Sequence, residues 1–168
     1  IESLPIDTRP TPEALSAWVE RKAIAGCRVI VVDPVTAMQK GARSWEDDKL
    51  FLFTCKRAME QHSASLILVS HPRKLAAGQR PNAITMDDLA GGQAYSLFSQ
   101  TILCLTAHKQ KQSSIQTQHG ALAEIHNRTM TVFKARNGRG AEGKKFACSF
   151  DGRTLTMTEL GEIQENKS

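Results

Sequence analysis

Residues 28–33 read RVIVVD and residues 65–70 read SLILVS. Each is an aliphatic run with a polar residue at its end, Asp33 in the first and Ser70, followed by His71, in the second. Strands with one wet face alternate apolar and polar residues. Unbroken aliphatic runs belong to parallel sheets covered on both faces. Between the two runs, Trp45 to Gln61 carries Leu52, Cys55 and Met59 at helical spacing, which predicts a helix with one apolar face. Strand, helix, strand in this order is a right-handed parallel crossover. Both strands of such a unit end at one edge, where open α/β sheets bind their ligands. Asp33 and His71 are therefore expected at the same edge.

Upstream, Thr11-Pro12 is a helix start, an N-cap residue followed by proline at the first helical position. Leu15, Trp18 and Val19 form its apolar face, and Gly26 stops it. Downstream, His71 to Ile84 reads as a long basic loop. Met86 to Ser99 reads as a short helix broken by Gly91-Gly92, and Thr101 to Thr106 as a third strand. Ala107 to Arg128, rich in Lys, Gln, Ser and His, is expected to be a mobile excursion. Thr129 to Ala135, Lys145 to Phe150 and Thr154 to Met157 read as short antiparallel strands, with Asp151-Gly152 as the turn between the last two. The expected fold is α/β. Its central sheet is mostly parallel, with antiparallel strands at the C-terminal end. One domain is expected over residues 1–161, with a frayed polar tail over 162–168.

The chain has 168 residues, enough for a real core. No apolar run approaches the roughly 20 residues that span a bilayer. Ile1 opens the sequence without leader character and reads as a cut inside a longer protein. Cys27, Cys55, Cys104 and Cys148 are scattered, without CxxC. They read as buried free thiols in a reducing, cytoplasmic compartment. His119 and His126 pair with nothing recognisable at zinc spacing. The formal charge is +5, unevenly spread: from His71 to Lys145 there are eleven Lys/Arg against four Asp/Glu. A basic second half fits a polyanionic partner, and a solvated basic surface fits equally well.

Three places could carry chemistry. A carboxylate such as Asp33 at the end of a parallel strand can hold a nucleotide's Mg2+, usually through water; an ordinary strand-capping aspartate gives the same pattern. His71, at the same edge, could donate a hydrogen bond to a terminal phosphate, or simply begin a surface loop. Lys134 and Arg136 alternate, so both point the same way from a strand end, ahead of an Asn137-Gly138 turn. Two cations held there suit phosphate, and arginine suits charge that builds up in phosphoryl transfer. A basic hairpin tip is the plainer reading.

Taken in order, these segments resemble the motor domain of DnaB-type and phage primase–helicases. RVIVVD resembles their Walker B strand, and SLILVSHPRK their next strand and loop, which carry Gln or His where this chain has His71. RPNAITMDDLAGGQAYSLFSQTILCL resembles their DNA-loop motif. FKARNGRG resembles their Lys-x-Arg-x-Gly element, and TLTMTELG their closing strand. The likeness runs over about Ile6 to Gly161. It departs at Ala90, where the family often has Arg, at Gly91-Gly92-Gln93, where it has Gly-Ser-Gly, and at Ser99-Gln100, where an acid is common.

The resemblance implies a RecA-like P-loop NTPase core, in part, and an ATP-dependent, hexameric, single-stranded-DNA-translocating helicase that uses ATP and Mg2+. It implies that Asp33 serves Mg2+ and nucleotide, and that His71 senses phosphate. Arg136 is implied as a finger toward a neighbouring subunit's ATP, with Lys134 beside it. Arg73, Lys74, Arg80, Asp88, Gly91 and Gly92 fall in the implied DNA-facing loops. No GxxxxGK[ST] occurs in the sequence. In the family that loop lies upstream of the Walker B strand, so this stretch alone is expected not to hydrolyse ATP. The alternatives are a RecA-fold ATPase that is not a helicase, and a non-enzymatic nucleic-acid-binding α/β domain.

Overall fold

The computed structural model describes residues 9–39, 41–42, 44–71, 84–88, 92–117, 120–138 and 140–164. The chain divides into two compact units, Ile1–Phe98 and Ser99–Ser168.

In the first unit, helix α1 runs Pro12–Ile24. The Thr11 hydroxyl accepts the Ala14 N–H at 3.2 Å, which satisfies one of the amides that a helix start leaves without a partner. Gly26, at φ +89°, takes the left-handed conformation that ends the helix. Strand β1 (Val29–Val32) leads through helix α2 (Ser44–His62) to strand β2 (Ser65–Leu68). The two strands pair in parallel, with Val29 opposite Ser65 and Val32 opposite Leu68. The short helix α3 (Gly92–Phe98) completes the unit. Leu15 and Val19 of α1, Ile30 and Val32 of β1, Phe51, Leu52, Cys55 and Met59 of α2, and Tyr95 of α3 form one core. Each fully buried Val, Leu or Phe among them contributes about 1.5–3 kcal/mol.

The parallel crossover is as the sequence predicts, but the burial is not. Val29 and Val31 are 59 % and 52 % exposed and Ile67 is 51 % exposed. The helices cover one face of the pair, on the side of Ile30 and Val32, and leave the other uncovered. An aliphatic run records affinity for a covering layer, not the presence of one.

In the second unit, strands β3 (Thr101–Thr117), β4 (Gly120–Ala135), β5 (Lys145–Asp151) and β6 (Thr156–Ile163) form an antiparallel sheet. It closes on itself where Ile115 and Gln116 of β3 pair with Ile163 and Glu162 of β6. Ile115, Val132, Ala147 and Cys148 are buried within it. Gly161, at φ +141°, lies where a Cβ would come 2.5 Å from Ile115 Cγ2 and 2.9 Å from the Gln116 carbonyl. Only glycine lets β6 approach β3 this closely.

Five expectations are corrected here. The fold is α/β, but its described strands are not mostly parallel: two form the parallel pair and four the antiparallel sheet. The third strand, β3, pairs with β4 and β6 rather than joining β1 and β2. A partner adjacent in sequence closes with little loop entropy, which favours the long β3–β4 ladder. The stretch Ala107 to Arg128 belongs to that ladder, which runs from Thr101 opposite Ala135 to Thr117 opposite Gly120. Its polar composition hides the strand, because backbone pairing needs no apolar side chain. The turn between β5 and β6 occupies residues 152–155, longer than Asp151-Gly152 alone, and β6 continues through Glu162 and Ile163 where a frayed tail is expected.

Candidate functional site

Asp33 directly follows β1, and His71 lies three residues beyond β2. Because the strands are parallel and in register, both residues leave the sheet at its C-terminal edge. The backbone binds that edge together: Val69 donates to the Val32 carbonyl at 2.9 Å, and Val35 donates to the Val69 carbonyl at 2.9 Å. Asp33 and His71 are both exposed. Among the described residues the Asp33 carboxylate bonds to no side chain. One hard oxygen donor beside a site for phosphates is the usual protein contribution to Mg2+, which keeps most of its waters. The described residues contain no group of three or more His, Cys, Asp or Glu able to hold a metal by themselves.

Lys134 and Arg136 lie at the end of β4 in the second unit. The Arg136 amide donates to the Gln100 carbonyl at 3.0 Å, and Gly138 donates back to the Ala135 carbonyl at 3.0 Å, closing a tight turn. A Cβ on Gly138 would come 2.8 Å from that of Ala135, so the turn requires glycine. Partial burial, and then the neighbouring Arg136 charge, hold the Lys134 ammonium below its ordinary range, while Glu142 opposes them. The two cations are thus close in space as well as in sequence.

Of the residues implied to face DNA, Arg73, Lys74, Arg80 and Gly91 lie outside the described residues. Gly92 begins α3. Asp88 is turned inward on its own loop: its Oδ2 accepts the Thr85 amide at 2.7 Å and the Thr85 hydroxyl at 2.8 Å. That geometry stabilises a turn and gives the carboxylate a local task.

Two constellations escape a reading of the sequence. Asp48 of α2 is 1 % exposed and accepts the Tyr95 hydroxyl at 3.4 Å. Burial, then the Asp48 charge, raise the Tyr95 phenol above its ordinary range. The spacing of Asp48 from Phe51, Leu52 and Cys55 was the available signal, since it puts the acid on the apolar face. The second is in the antiparallel sheet. His126, 2 % exposed, does have a partner: His108 and His126 both place Nε2 on the Thr129 hydroxyl, at 3.0 and 3.1 Å. Their rings meet edge to face, with centroids 5.9 Å apart. His119 lies outside the described residues.

The four cysteines are unpaired; Cys55, Cys104 and Cys148 are buried, but Cys27 is exposed, contrary to expectation. Among the described residues no helix is long and apolar enough to cross a membrane. No protein-family model matches the chain, and no curated protein matches it. What the fold defines is an α/β protein with a parallel crossover unit and a closed antiparallel sheet, each carrying polar groups at a strand end.

Proposed function

We propose that this chain is the part of a RecA-like, DNA-translocating ATPase motor of the DnaB and phage primase–helicase kind that carries the Walker B strand and the segments after it. The observation that carries the reading is the shared edge of Asp33 and His71 on a parallel crossover pair. This is where a nucleotide's terminal phosphates would lie in such a motor. Asp33 would hold Mg2+ through water, and bound Mg2+ would neutralise charge on the phosphates. His71 would donate a hydrogen bond to the terminal phosphate and report its presence to the segment that follows it. Arg136, with Lys134 beside it, would reach the nucleotide of a neighbouring subunit in a hexameric ring and meet the charge that develops on the transferring phosphoryl group. The DNA strand would be held through its backbone by loops that include Arg73, Lys74 and Arg80.

The test is ATP hydrolysis in the full-length protein. Arg136→Ala should lower single-stranded-DNA-stimulated turnover by about 10³–10⁵ while nucleotide binding stays nearly intact, because the finger meets charge present only in the transition state. Mixing Arg136→Ala subunits with Asp33→Ala subunits should restore part of the activity at interfaces that pair an intact finger with an intact edge. Normal turnover in the Arg136→Ala protein sinks the reading of this residue. A full-length sequence without any P-loop sinks the motor as a whole.

A further inference from the structure

The β3–β4 ladder contains a break with a chemical result. Ala107 stands opposite Arg128 and Lys111 opposite His126, so His108, Lys109 and Gln110 of β3 face the single Asn127 of β4. Asn127 is committed to β5, where its Nδ2 donates to the Phe150 carbonyl at 2.8 Å and its Oδ1 accepts the Phe150 amide at 2.7 Å. The surplus length of β3 forms a bulge, a device that re-aims side chains. Here it brings His108 onto the Thr129 hydroxyl that His126 also holds.

The groups that face this pair are cations. Burial first, then Lys111 of β3 and His126 and Arg128 of β4, keep the His108 imidazole below its ordinary range. Burial and Lys111 do the same to His126, opposed by the Glu124 backbone and by no carboxylate side chain. Arg128 is held over the Phe150 ring at 5.0 Å, with its guanidinium donating to the Asn127 carbonyl at 2.8 Å. The Thr129 hydroxyl can donate to one imidazole while accepting an N–H from the other, but the buried His126 Nδ1 has no hydrogen-bond partner of good geometry. An anion would reverse the local sign of charge.

We propose that the β3 bulge binds a phosphate of a nucleic-acid strand through His108, Lys111 and Arg128, with proton uptake by His108 coupled to binding. A protonated His108 keeps one ring N–H on Thr129 and offers the other to a phosphate oxygen. His126 is a positioning residue that acts through Thr129. The inference takes the source of the phosphate, a nucleic-acid strand, from the motor reading; the site itself follows from the bulge.

The experiment uses this chain and a fluorescein-labelled dT20 strand, with anisotropy read from pH 5.5 to 8 at fixed ionic strength. For one linked proton, affinity should fall by up to about tenfold per pH unit as His108 loses its proton. His108→Gln, which keeps a donor for Thr129 but cannot titrate, should flatten that dependence, whereas His62→Gln, at the exposed end of α2, should leave it unchanged. Lys111→Ala, at an exposed strand position, should weaken binding and reduce the salt slope by about one. If His108→Gln does not fold, NMR titration of the His108 ring in the unaltered chain decides, since added dT20 should raise its pKa. An unchanged pH slope in His108→Gln with an unchanged salt slope in Lys111→Ala overturns the inference, as does failure to bind dT20 at pH 5.5. Either result leaves the motor reading standing, because that reading is judged by ATP turnover in the full-length protein. Equal displacement of dT20 by millimolar inorganic phosphate overturns the strand and assigns the bulge to free phosphate.

Discussion

Gly161 shows how one backbone position governs the antiparallel unit. Its φ of +141° and the 2.5 Å approach a Cβ would make to Ile115 exclude a side chain twice over, by conformation and by space. Gly161→Ala should therefore destabilise the unit by about 1–3 kcal/mol, read as a lower midpoint in urea. The cysteines divide on similar grounds. Burial, and then the charge of Glu20, push the Cys55 thiol up to about 12, so it is protonated and shielded at neutral pH. Burial first raises Cys148 as well. Iodoacetamide on the native chain should modify Cys27 alone, with the other three reacting only after denaturation. Rapid loss of all four thiols would contradict the buried placement.

At the scale of elements, Asn127 takes the place of a ladder hydrogen bond between β4 and β5, since its amide group bonds both backbone atoms of Phe150. Asn127→Ala would leave a carbonyl and an amide to find water. It should cost about 1–3 kcal/mol by thermal denaturation and should move the His108 resonances in NMR, because Asn127 stands opposite the bulge. The helix α1 and the β1–α2–β2 crossover were legible because their signals are local: a Thr-Pro start, Gly26, aliphatic runs and a 3.6-residue period. The same runs misstated the exposure of Val29 and Val31, since periodicity cannot tell whether a covering layer is present. Strand β3 was legible only as far as Thr106. Beyond it, KQKQSS carries no apolar–polar alternation, and the strand exists through backbone pairing with the neighbouring β4. The edge holding Asp33 and His71 could be read from the crossover rule alone. The His108–Thr129–His126 contact could not, because it forms across a bulge in the β3–β4 register that no sequence period marks.

For the whole molecule, the histidine pair contributes to how stability responds to acid. Both imidazoles fall below the ordinary 6.5 in the folded chain, chiefly through burial. A depressed folded value means that the unfolded chain binds protons more readily. The stabilisation is therefore present above pH 6.5 and is lost as pH falls through the folded values. Denaturation midpoints of the antiparallel unit should decline from pH 7.5 toward pH 5, and His108→Gln should reduce the decline. Midpoints that rise toward pH 5 would reverse the assignment. Phosphate at the bulge would oppose the acid effect, since it favours the charged imidazole.

The uncovered side of β1 and β2 has a consequence for handling. Val29, Val31 and Ile67 present a water-facing apolar strip on a sheet of only two strands, each with an outer edge unpaired among the described residues. Strand edges recruit other strands, and an oily strip beside them strengthens the pull. Prepared by itself at high concentration, the chain should be colloidally sticky. Mild detergent, low temperature or a threonine at Val31 should each keep it dispersed, since hydrophobic attraction weakens on cooling and a hydroxyl breaks the strip.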